Sequence, residues 1–230
     1  NKMSTKEYVL EKIINARVNN DPWDHVVIKN FLPKSFYENL VKETEEYTKR
    51  EELKQSNIRA YHIYVNKSIS LFPNSPFLKE YYNILLDKDI SEAIESKLSI
   101  IISPKDFYSE LNLFTQGYNY GEIHPDRSDK TITMLHYLAD EGDDDSIGTL
   151  LYTPYKDGKN LDVFKDCLKS SPYISNCVLL FSPKDGKDFK TNHCMVNKSK
   201  TTFLRKSFQT FWIKETSDWT KDKQSGRIKL

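Results

Sequence analysis

The stretch YGEIHPDRSDK sets His124 and Asp126 two residues apart. On an extended strand that spacing projects both side chains to one side, so an imidazole nitrogen and a carboxylate oxygen can converge on one cation. Pro125, Arg127, Ser128 and Asp129 are turn-friendly residues, and a surface turn is the competing reading. Two more histidines lie downstream. His136 sits inside TITMLHYL, where a buried strand histidine needs no metal to explain it. His193, in FKTNHCMV, is far enough along the chain for its strand to return beside the first. Two imidazoles and one carboxylate leave three octahedral positions open, the ligand set of non-haem Fe(II) centres that activate oxygen. Structural zinc takes four protein ligands, usually with thiolates among them. Cys194 adjoins His193 but points to the opposite strand face, which leaves it outside this set.

The segment TTFLRKSFQTFW places Arg205 and Ser207 on one strand face. A guanidinium and a hydroxyl converging inside a barrel suit a carboxylate guest held bidentately. Burying a guanidinium without such a partner costs several kcal/mol. A surface arginine, with Lys206 on the other face, is the alternative.

These residues must be positioned by the rest of the chain. Its 230 residues suit one domain, or one domain with helical decoration. With 34 basic and 33 acidic side chains the formal charge is +1, so no global field favours nucleic acid or an anionic membrane. No apolar run approaches the roughly 18–20 residues that span a bilayer, and no signal-peptide pattern opens the chain. Cys167, Cys177 and Cys194 are too few and scattered for a disulfide framework. The expectation is a soluble, cytoplasmic protein.

Helical patterns dominate the first half. Ser4 suits the cap of a helix carrying Tyr8, Val9, Ile13 and Ile14. HVVIKNF (25–31) reads as a short strand, and Phe36, Leu40, Val41 and Tyr47 form a helical stripe. Ser75-Pro76 opens a further helical stretch. Beyond residue 105 the pattern becomes strands: FYSELNLF, TITMLHYL, GTLLYTP, ISNCVLLFSP, FKTNHCMV and TTFLRKSFQTFWI. QGYNYGE, ADEGDDDS, YKDGKN, PKDGKD and NKSK read as the turns between them. Helices followed by closely spaced strands predict an α+β fold with a β-sandwich or barrel core.

Order, spacing and surrounding strands of HPD (124–126), Tyr137-Leu138, IGTLLY (147–152), NCVLLF (176–181), NHCMV (192–196) and RKS (205–207) resemble the Fe(II)/2-oxoglutarate-dependent oxygenases, within them the prolyl-4-hydroxylase-like group. The likeness covers roughly residues 105 to 213, and DPWDHVVIKNFLPKSFYENL resembles the family's strand-then-helix entry. It implies a double-stranded β-helix (jelly-roll) core over 105–216, an N-terminal helical and strand support over 1–104, and a polar tail over 217–230. It makes His124, Asp126 and His193 the Fe(II) ligands. Arg205 would bind the distal carboxylate of the cosubstrate 2-oxoglutarate, with Ser207 assisting and the Tyr137 hydroxyl reaching the same group. Dioxygen would be the oxidant and ascorbate a supporting reductant. The implied reaction is hydroxylation of a C–H bond with release of succinate and CO2, on a prolyl residue of a peptide or protein or on a small molecule. Neutral imidazoles are required, so iron affinity is expected to fall below about pH 6.

Three departures bear on the subfamily: DSIGTL has one glycine where relatives often have two, Asn192 stands where many carry an aromatic, and the gap from His193 to Arg205 is slightly longer than usual, matching the NKSKTT loop. Candidate substrate contacts are Arg59 and His62 in SNIRAYHIYVNKS and Tyr118 and Tyr120 in QGYNYG, with ordinary packing the alternative for each. ADEGDDDS lacks calcium-loop spacing and reads as a solvated acidic turn. A cupin-like metal barrel without 2-oxoglutarate, or a non-catalytic binding module, are the competing functional classes.

Overall fold

A computed structural model of the chain describes residues 2–49, 63–65, 75–101 and 106–214. Helix α1 (Thr5–Asn15) starts at Ser4, whose hydroxyl accepts from the Glu7 N–H at 3.1 Å while the Glu7 carboxylate accepts from the Ser4 N–H at 2.7 Å. This reciprocal box satisfies two donors that a bare helix end leaves open. After β1 (Val18–Asn19) and β2 (His25–Ile28) comes α2 (Lys34–Thr48). Strand β3 (Ile63–Val65) precedes α3 (Pro76–Leu85), which opens on a proline that lacks the N–H a first turn cannot use. Its next two N–H groups donate to the Glu43 carboxylate of α2. Helix α4 (Lys88–Leu98) is capped by Asp87.

The strands that follow are β4 (Asp106–Thr115), β5 (Asn119–His124), β6 (Lys130–Tyr137), β7 (Thr149–Leu151), β8 (Lys169–Ser170), β9 (Cys177–Phe181), β10 (His193–Val196) and β11 (Leu204–Ile213). Among the described residues they form two antiparallel sheets. The larger runs β1-β2-β9-β6-β11-β4-β3 and the smaller β5-β10-β7-β8. Strand alternation sorts the larger sheet into two faces. Ile132, Met134, Val178, Leu180, Phe208 and Trp212 pack with Val9, Ile13, Leu40, Tyr81 and Ile94 of the helices. From the other face, Leu135, Tyr137, Leu179 and Phe181 meet Leu151 and Met195 of the smaller sheet. Leu150, Cys194 and Val196 line the outer face of that sheet. Each buried Leu, Val, Ile or Phe contributes about 1.5–3 kcal/mol, and the sandwich holds everything between its sheets in fixed register.

Several boundaries differ from the sequence expectation. QGYNYGE is a turn only at first; from Asn119 it becomes β5, because Asn119, Tyr120 and His124 pair with Val196, Met195 and His193 of β10. Partner strand overrides local turn preference here. FKTNHCMV is a strand only from His193, since Thr191 N–H bonds to the Lys184 carbonyl and Asn192 N–H to that of Lys190. HVVIKNF ends at Ile28, two residues before Asn30 takes a left-handed φ of 52°. No helix among the described residues is long and apolar enough to cross a membrane.

Candidate metal centre

The antiparallel register of β5 on β10 sets His193 directly opposite His124, and the ring centroids lie 4.8 Å apart. Asp126 follows in the turn between β5 and β6. Ligand atoms of His124, Asp126 and His193 all fall within 4.8 Å of one another, with Asp126 Oδ1 3.8 Å from His193 Nε2. Far-apart residues thus meet at one end of the gap between the sheets.

Each imidazole is oriented by a backbone carbonyl. His124 Nδ1 lies 2.7 Å from the Glu122 carbonyl and His193 Nδ1 2.8 Å from that of Thr191. A carbonyl only accepts, so both rings carry their proton on Nδ1 and their lone pair on Nε2. His193 is nearly solvent-free, and burial pushes its pKa down to about 4, against the opposing pull of Asp126. That ring therefore stays neutral below the pH 6 expected from the sequence. Asp126 is also buried; burial disfavours its charge, yet Lys130, His193 and the Thr133 hydroxyl together outweigh it and hold the carboxyl well below the usual range. Thr133 donates to Oδ2 at 2.6 Å and Lys130 to Oδ1 at 3.0 Å.

Two unprotonated imidazole nitrogens beside an ionised carboxylate fit a divalent first-row ion with open positions. Cys194 is no part of the set: it packs on the outer face of the smaller sheet, 3.1 Å from the Tyr152 hydroxyl. His136 faces the helices, bonded to the Tyr81 hydroxyl at 3.0 Å and to Asn176 Oδ1 at 3.1 Å. Phe181 stands edge-on to His193 at 5.1 Å and Trp23 packs on Phe181 at 5.0 Å, an apolar backing for the centre.

Arg205 lies farther along the same interior. Met195, two residues beyond His193 on the same face of β10, brings its sulfur 3.5 Å from Arg205 Nη1. The guanidinium is 0% exposed, donates from Nε to the Ile147 carbonyl at 2.6 Å, and lies 5.3–5.9 Å from the ring centres of Phe114, Tyr137 and Tyr173. Nη2 has no hydrogen-bond partner among the described residues, and neither has the buried Ser207 hydroxyl. A buried cation and a buried hydroxyl, two residues apart on β11, thus keep hydrogen-bonding capacity that no described residue uses.

The remaining expectations fall out unevenly. The Tyr137 ring faces Arg205, but its hydroxyl is engaged with Thr149 and Ser171. Tyr118 stacks flat on Phe114 at 4.9 Å and 5°, so it backs one of the rings that flank Arg205. The Tyr120 side chain, Arg59 and His62 lie outside the described residues. Asn192 is buried and clamps the carbonyls of Thr153 and Lys156. The acidic turn is solvated, with Asp140 paired to Lys206 at 2.7 Å. Sequence reading missed Thr133 and Met195, although strand alternation from Tyr137 and His193 puts each on the interior face. It also missed Lys130, for which no local signal exists.

Fold and site together define a two-sheet β-sandwich with helices on one face and a His-Asp-His cluster between the sheets. This is the fold of the prolyl 4-hydroxylases. The Pseudomonas putida prolyl-4-hydroxylase superposes with a TM-score of 0.56 at 14% identity, over 90% of this chain and 97% of that one. A prolyl 4-hydroxylase from Phytophthora capsici gives 0.58 at 14% identity, over 95% and 68%. AviO1 from Streptomyces viridochromogenes gives 0.50 at 11%, over 94% and 98%. No protein-family model and no curated protein sequence matches the chain.

Proposed function

We propose that this protein is an Fe(II)- and 2-oxoglutarate-dependent dioxygenase of the prolyl-4-hydroxylase-like group, built on a double-stranded β-helix core and hydroxylating a prolyl residue in a peptide or protein. The observation that carries the reading is the pairing of two features in one interior. A His-Asp-His cluster is followed, one strand step deeper, by a fully buried arginine whose Nη2 has no partner among the described residues. In this reading His124, Asp126 and His193 hold the ferrous ion. Arg205 binds the far carboxylate of the cosubstrate, which gives Nη2 an acceptor, and Ser207 supplies a second donor. Tyr137 acts through its ring, flanking the guanidinium. Phe114, Leu179, Phe181 and Met195 keep water from the interior. When bound, iron and 2-oxoglutarate supply the oxidising power, decarboxylation to succinate and CO2 being coupled to hydroxylation of a C–H bond by dioxygen. The fold shared with two prolyl 4-hydroxylases supports prolyl peptides as the substrate class. A cytoplasmic setting, with the three cysteines as thiols, belongs to the same proposal. A metal barrel without 2-oxoglutarate has no use for the Arg205 seat.

Uncoupled turnover tests this. With Fe(II), ascorbate and 2-oxoglutarate the protein releases succinate, and His124→Ala abolishes the release. A proline-containing peptide library then shows a mass gain of one oxygen. Equal succinate from wild type and His124→Ala refutes the assignment.

A further inference from the structure

We infer that Lys130 is a tethered counter-cation of the candidate metal centre, a positioning residue that orients Asp126 and weakens divalent-ion binding through its charge. The inference rests on the metal reading above. Lys130 is the first residue of β6 and is only 8% exposed. Lysine at a strand end ordinarily extends its ammonium into water. Here Nζ turns inward, 3.0 Å from Asp126 Oδ1, the same oxygen that faces His193 Nε2 at 3.8 Å. On its other side Nζ lies 3.5 Å from the centre of the buried Phe211 ring of β11. Ring and carboxylate together hold the charge in the wall of the centre. Thr133 already takes Oδ2, so Oδ1 is the oxygen left to face an ion, and Lys130 competes for it.

Two effects oppose each other. Removing a partner that orients a metal ligand costs roughly ten- to a hundredfold in affinity. Removing the ammonium also relieves a repulsion. An ion about 2.1 Å from Oδ1 lies within about 5 Å of Nζ, and the interaction of a divalent with a univalent cation at that distance exceeds the orientation loss even at an effective dielectric constant of about 20. Thr133 still anchors the carboxylate after the substitution. The charge effect wins. The same ammonium keeps Asp126 compensated when no ion is bound, since an isolated buried carboxylate is strongly destabilising.

Co(II) binding to wild type, Lys130→Met, Lys130→Gln, Lys130→Arg and His124→Ala at neutral pH tests this, read by visible absorption and by thermal shift. Lys130→Met and Lys130→Gln bind Co(II) about tenfold tighter or better, and Lys130→Arg stays within about threefold of wild type. The metal-free Lys130→Met protein melts lower than wild type, yet gains more on adding Co(II); a merely structural lysine would lower both forms alike. If Lys130→Met does not fold, Lys130→Gln, which keeps a donor to Oδ1, carries the comparison. Binding that depends on His124 but is unchanged or weakened in the neutral variants overturns the role of Lys130 alone. Wild-type binding that is absent, or survives in His124→Ala, overturns the metal reading and this inference with it.

Discussion

Replacing Arg205 with methionine should leave the ligand-free protein within about 2 kcal/mol of wild-type stability, although the residue is 0% exposed. The substitution removes the hydrogen bond from Nε to the Ile147 carbonyl, about 1.5–3 kcal/mol for a charged donor. It also removes three ring contacts at 5.3–5.9 Å, together about 2 kcal/mol. Against this stands the desolvation penalty of an ion with no carboxylate against it among the described residues, several kcal/mol, while methionine refills most of the volume. The terms nearly cancel. Leu179, equally buried, should lose about 2–5 kcal/mol on truncation to alanine. Binding separates the two variants further. At a hundredfold excess over Kd, 2-oxoglutarate with Mn(II) should stabilise wild type by about 2.7 kcal/mol, roughly 5–10 °C for a chain of this length, and Arg205→Met not at all. Urea titrations with and without the cosubstrate read both quantities. A loss of about 4 kcal/mol or more without ligand would make Arg205 a satisfied structural group, and an undiminished ligand shift would remove it from the cosubstrate seat.

Other perturbations follow from single contacts. His136 is buried and its pKa is pushed down to about 4 by burial, Asn176 opposing. Its folded value lies below the unfolded one near 6.5, so the unfolded state takes the proton first, and stability should fall by about 3 kcal/mol between pH 6.5 and 4. Urea midpoints across that range check this, and His136→Gln should flatten the slope. Asn176 holds both backbone groups of Leu32 and Nε2 of His136; Asn176→Ala should cost about 3–5 kcal/mol by orphaning them, measurable by chemical denaturation. At Gly158 a Cβ would lie 2.1 Å from the Ile123 carbonyl. Gly158→Ala should therefore shift the end of β5, lower stability by about 1–3 kcal/mol, and weaken Co(II) binding in the absorption titration, because His124 is the next residue.

Much of the site was legible because strand geometry is local. The pairing of Arg205 and Ser207 on one face follows from the two-residue period, as does the exclusion of Cys194. Asp126, in contrast, lies past the end of β5 and owes its place beside His124 to the turn that follows. Helix starts at Ser4 and Ser75-Pro76 were equally readable, since backbone donors near a helix end are satisfied by neighbours in sequence. Even the silence of His136 was predictable from its position within an apolar strand. The acidic turn likewise declared itself through spacing alone.

What chain order could not determine is which atoms share space. The register of β10 on β5 places His193 opposite His124, and it makes a strand of residues 119–124 that Gly and Asn would leave as a turn. Lys130 reaches Asp126 only because the turn at 125–129 folds back, and only packing presses Phe211 against its other side. Arg205 reads as an ordinary strand arginine until the rings of Phe114, Tyr137 and Tyr173 close around it. Residue type and alternation set the direction of each side chain. Distance, burial and the company of unpaired charges arise when remote strands pack, so those belong to the tertiary structure.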